Sequence, residues 1–126
     1  MTLRNLLIVN AVIALVFGVA SVLAPALLLS TYGITLSPAG ILVARLMGAA
    51  FLGICVLTWL ARDAPDSEAR RAIVLALFVE NAIGFIVALL GQLAGLANPF
   101  AWSIVVIYLL LALGYGYFQF LKPGAS

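Results

Sequence analysis

Histidine is absent from this 126-residue chain, and cysteine occurs once, as Cys55. The first absence removes the commonest metal ligand and general base. The second excludes an intrachain disulfide, a CxxC redox pair and a cysteine-based zinc site. Charge is scarce too: 8% of residues are charged and 67% are hydrophobic. A soluble domain has roughly a quarter charged residues, because polar side chains must cover its outside. This chain has too few, and lipid is the solvent that removes the need. Its small net charge of +2 rests mostly on arginines near the ends of apolar runs. Nucleic acid is recognised by a basic patch or stripe, so no nucleic-acid partner is expected.

What the chain does have is four apolar runs, at about residues 6–29, 39–60, 72–96 and 100–121. Each is long enough to span, since a helix crosses the hydrocarbon core in roughly 20 residues. The connections are short. Residues 30–38 include Thr31, Tyr32, Gly33 and Pro38, and Asn98-Pro99 separates the third run from the fourth. Residues 62–71 are polar and broken by Pro65, and Asp66-Ser67-Glu68 there can cap the third helix. Short loops make neighbouring helices antiparallel, so a single all-α domain is expected, a four-transmembrane-helix up-down-up-down bundle. The runs are continuously apolar rather than alternating, which argues against a β-barrel. They also lack the polar faces of a soluble bundle.

Orientation follows from the basic residues. Arg4 precedes the first run, Arg62, Arg70 and Arg71 lie in the middle loop, and Lys122 follows the fourth run. The other two connections have none. The positive-inside rule therefore places both termini in the cytoplasm; the inner membrane of a bacterial cell is the expected location. Tyr32, Phe100 and Trp102 mark the outer boundary; Trp59, Tyr115, Tyr117, Phe118 and Phe120 mark the inner one. The first run has small residues at Ala20 and Ala24, as a signal peptide would, but it is long and Pro25 follows, so it reads as a retained span.

Two ionisable residues fall within the runs, Arg45 in the outer half of the second and Glu80 near the middle of the third. Such groups are costly in a bilayer and usually face the bundle interior or a cavity. Their expected backbone separation in depth is roughly 10 Å, which two extended side chains can bridge. Asn10, Asn81 and Tyr108 supply further polarity. Small residues share these faces: Gly40, Ala44 and Gly48 beside Arg45, and Gly84, Ala88, Gly91 and Gly95 with Glu80. Stripes of this kind let helices approach closely, and Gly91 and Gly95 form a GxxxG pair. One reading is a structural network built on an Arg45–Glu80 pair. A second is a proton, ion or ligand site around Glu80, and a third has Arg45 snorkelling outward on its own.

The stretch from Ala44-Arg45 through Leu46-Met47-Gly48-Ala49-Ala50-Phe51-Leu52-Gly53 to Trp59-Leu60-Ala61-Arg62 carries a likeness. With Leu23-Ala24-Pro25 and Leu111-Ala112-Leu113-Gly114-Tyr115-Gly116-Tyr117, it resembles small uncharacterised bacterial four-helix membrane proteins, a domain of unknown function. That resemblance covers most of the chain and implies no reaction, cofactor or catalytic residue. The small multidrug-resistance transporters match poorly: their pattern has an essential glutamate in the first span, where this chain has Asn10 and no acid.

Catalysis is not expected. A Ser–His or Cys–His arrangement is impossible, no lysine lies within a run, and Glu80 has no second acid beside it. No metal and no cofactor are expected either. The sequence fits a non-catalytic membrane protein: a scaffold, accessory subunit or interaction module with a buried polar network. Its partners would be the lipid bilayer and a larger membrane complex or further copies of itself. The alternative is a small, oligomeric, proton-coupled or ligand transporter that uses Glu80. A closed Arg45–Glu80 contact would favour the scaffold, and a Glu80 facing a cavity would favour transport.

Overall fold

The computed structural model describes residues 1–121 and is helical, with no strand among those residues. Helix α1 runs Leu3–Leu23, α2 Pro25–Thr31, α3 Pro38–Ala61, α4 Glu68–Leu93 and α5 Trp102–Gly116. A 3-10 turn, Pro99–Ala101, leads into α5, and a π-turn, Tyr117–Leu121, follows it. Four stretches are long and apolar enough to cross a membrane: α1, α3, α4 and Pro99–Leu121. That composition suits a membrane protein. Lys122 lies outside the described residues.

The helix ends follow local chemistry. Thr2, Ser37 and Ser67 each accept a hydrogen bond from a first-turn backbone N–H, on Asn5, Gly40 and Arg70. The first apolar run is not one helix, as the expected 6–29 span implied. Proline excludes the helical conformation from the residue before it, and Ala24 sits at φ −143°, ψ 59°. Pro25 then opens α2 at a position where its missing N–H costs nothing. Helix α4 starts a turn before the expected residue 72, because the Ser67 cap sets its start and Glu68, Arg70 and Arg71 extend it in polar residues. It ends at Leu93. Gly95 follows at φ +74°, with Leu96 N donating to Gly91 O and Gly95 N to Gln92 O, a Schellman cap.

The helices pack as two antiparallel pairs, α1 with α3 and α4 with α5. In the first pair Arg4 meets Asp63 at one end, and Gly18 crosses Gly48 further along. A Cβ on Gly48 would come within 2.9 Å of Gly18 O, so glycine permits this approach. In the second pair the Tyr108 ring lies on Gly84, and Phe78 contacts Gly116 and, edge to face at 5.2 Å, Phe120. The pairs meet through α1 and α5, where Leu6 packs on Gly114. Consecutive helices α3 and α4 share no extensive contact.

The two ends of the bundle differ. At the N-terminal end, Leu3, Leu6, Leu7, Ala61, Val74, Leu77, Leu111, Tyr115 and Phe118 form one buried apolar cluster. Charges close over it: Asp63 bonds Arg4 at 2.8 Å, and Asp66 lies 3.6 Å from Arg70 and 3.3 Å from Arg71. Arg70 is 5% exposed and also donates to Ala64 O. Arg62 lies over the Trp59 ring, 3.8 Å from its centroid, and donates to Trp59 O. At the other end the two connections are stitched together. Asn98 donates from its backbone to Tyr32 O at 2.8 Å and from its side chain to Thr31 O at 3.0 Å. Tyr32 stacks on Phe100 at 5.5 Å.

Candidate functional site

Between the closed end and the stitched end, the helix pairs separate around a cavity of about 340 Å³. Asn10, Asn81 and Leu111 line its base, at the level where the apolar cluster stops. Phe17, Phe51, Ile54, Ile104, Ile107 and Tyr108 line its sides, and Leu28, Leu29, Tyr32, Ile34 and Leu96 its far end. Glu80 is half-buried and belongs to this lining.

Small residues on α4 make the space. A Cβ on Gly84 would fall 2.3 Å from the Tyr108 ring, so this glycine is occupied by its neighbour. A Cβ on Gly91 would meet nothing within 4 Å, and both Gly91 and Ala88 border the cavity. The stripe expected to pack thus packs at Gly84 and leaves room at Ala88 and Gly91. Gly95 is a helix cap, and the GxxxG pair joins no two helices among the described residues. On α3, Gly48 makes the close crossing and Ala44 is buried, whereas a Cβ on Gly40 would meet only Leu36 and Ser37 of its own cap turn.

The polar residues divide into bonded and unbonded groups. Asn10, 4% exposed, donates from Nδ2 to the hydroxyl of Tyr115 at 2.8 Å; Tyr115 is fully buried. Asn81 donates from Nδ2 to Leu77 O at 2.8 Å, and Gln92 from Nε2 to Asn98 O at 3.1 Å. No hydrogen bond reaches the amide oxygen of Asn10 or Asn81 among the described residues. Glu80 makes no ion pair or hydrogen bond among them either.

The expected Arg45–Glu80 pair does not form. Arg45 is exposed on α3 and has neither an ion pair nor a hydrogen bond among the described residues. Helix α3 shares no extensive contact with α4, and register adds to the separation. Contacts across α4–α5, α5–α1 and α1–α3 bring Glu80 level with the part of α3 near Ile54. Arg45 is about nine residues away, roughly 13 Å of helix rise. The structure does bring Glu80, Asn10, Asn81 and Tyr108 to one cavity. Sequence reasoning put Tyr115 at the inner membrane boundary, but it is the buried partner of Asn10. The signal for it was present, because Tyr108 and Tyr115 lie seven residues apart on one helical face. Gln92, also in the lining, carried no such signal.

The chain belongs to the family described as Domain of unknown function (DUF8292), which matches residues 1–119. No curated protein and no solved structure matches the chain.

Proposed function

We propose that this member of a family of unknown function is a polytopic integral membrane protein that binds or carries a small, largely apolar molecule in its central cavity, with Glu80 as the ionisable contact. The observation that carries the reading is an unpaired carboxyl lining a cavity of about 340 Å³. Binding sites of this kind are concave and mostly apolar, with a few polar groups that fix orientation. An unpaired acid inside a span is expensive and would not be needed for helix packing alone. The closed Arg45–Glu80 contact that would have favoured a scaffold is not made. An accessory-subunit role is the second reading, favoured by Arg45, a cation on α3 without a partner among the described residues. We place the chain in the inner cell membrane with both termini cytoplasmic, from Arg4, Arg62, Arg70 and Arg71 gathered at one end. No catalytic step is assigned to it.

The two methionines provide the test. Met47 lines the cavity, and Met1 is 81% exposed at the N-terminus. Protein labelled with 13C at the methionine methyls, in zwitterionic lipid nanodiscs, would be titrated with 1-naphthalenemethanol, a neutral molecule smaller than the cavity. A saturable shift of the Met47 methyl, with Met1 unmoved, is expected. Gly91→Phe should abolish it without unfolding the protein, since a side chain at Gly91 enters open space. A Met47 shift that never saturates, or one that survives Gly91→Phe, would refute the reading.

A further inference from the structure

We infer that the cavity selects a lipophilic amine in its protonated form, an inference that rests on the binding role proposed above. Among the described residues the lining contains one acid, Glu80, and no basic residue. Arg71, nine residues before Glu80 on α4, and Arg45 on α3 are both exposed and outside the lining. An anionic ligand such as a fatty acid would find no counter-ion among the described lining residues, whereas a cation gives Glu80 the partner it lacks. Hydrogen-bonding capacity points the same way. Besides the Glu80 carboxyl, the amide oxygens of Asn10 and Asn81 receive no hydrogen bond among the described residues. The lining thus has acceptors to spare at its base, and an ammonium group offers up to three donors and no acceptor. The rest of the cavity suits the body of such a molecule. Phe17, Phe51 and Tyr108 present rings that attract a cation by their faces and an apolar group by contact.

Three probes with the same ring system separate charge from shape: 1-naphthylmethylamine, 1-naphthalenemethanol and 1-naphthylacetate. Each would be titrated into the methionine-labelled protein in zwitterionic nanodiscs, with empty discs as the partition control and affinities referred to free aqueous ligand. The amine should bind at least tenfold more tightly than the alcohol, and the acetate should not saturate. Glu80→Gln should erase the preference for the amine and keep alcohol binding, which also reports that the variant is folded. Equal affinity for amine and alcohol in the unmodified protein would overturn the inference while leaving the binding role intact. So would saturable acetate binding as tight as that of the amine, or a preference that survives Glu80→Gln. Saturation by none of the three would overturn both.

Discussion

The bond between Asn10 and Tyr115 closes the base of the cavity, and its removal has a calculable cost. Tyr115→Phe deletes the acceptor of the Asn10 Nδ2 hydrogen bond, 2.8 Å long and almost wholly buried. Little volume is lost, so packing against Leu7 and Leu111 survives. Two estimates compete. Orphaning a buried donor costs about 1–3 kcal/mol, while hydrogen bonds between membrane helices average about 0.6 kcal/mol with a maximum near 1.7. The lower range applies where the unfolded chain finds other partners in lipid. Here the Asn10 side chain is almost wholly buried and Nδ2 has no second acceptor among the described residues, so about 1–1.5 kcal/mol is expected. Asn10→Leu removes the donor as well, so the double variant should be closer to the protein's own stability than the sum of the single losses predicts. Reversible unfolding by dodecyl sulfate in mixed micelles, followed by circular dichroism, measures all four corners of the cycle. A coupling energy below about 0.3 kcal/mol, within additivity error, would refute the claim that this bond joins the two helix pairs.

Glycines on the two sides of the bundle should respond differently to the same substitution. Gly48→Ala places a methyl 2.8 Å from Ser21 Cβ and 2.9 Å from Gly18 O, both on a packed helix, and should cost about 1–3 kcal/mol. Gly91→Ala meets nothing within 4 Å and should be neutral or stabilise by about 0.5–1 kcal/mol through helix propensity; equal losses in the same unfolding assay would contradict the packing. Hydrogen bonding to Arg4 holds the Asp63 carboxyl below its usual range. A lowered folded value means that its contribution is present above the unfolded value, about 3.9, and is lost as pH falls through the folded one. The melting difference between the protein and Asp63→Asn should therefore be small, constant above about pH 5, and should vanish in stronger acid; a difference that grows in acid would reverse the sign. For orientation, Ser30→Cys and Ala64→Cys would each be made in a Cys55→Ala background. An impermeant maleimide added to intact cells should label the former and not the latter, and the opposite pattern would invert the assigned topology.

The number of long apolar helices was legible in the sequence because it depends on local quantities. A run of about 20 apolar residues has one solution in lipid; Ser37 and Ser67 mark helix starts through bonds to their own first turn, and Pro38 marks one because its missing N–H costs nothing there. Pro25 acts locally too, and its break in the first run could have been anticipated from the restriction it places on Ala24. The polar set of the cavity was legible in part, since Glu80, Asn10, Asn81 and Tyr108 stand out against apolar surroundings. Which of them meet was not. Arg45 and Glu80 fail to pair because α3 and α4 share no extensive contact, and register across three successive helix contacts adds to the separation; no single helix contains that information. Gly84 and Gly91 lie on the same stripe of α4, yet one receives a tyrosine ring and the other borders empty space. A small residue only removes an obstacle. Whether the freed volume becomes a contact or a cavity depends on the side chain that the opposing helix brings to it, and tertiary structure alone decides that.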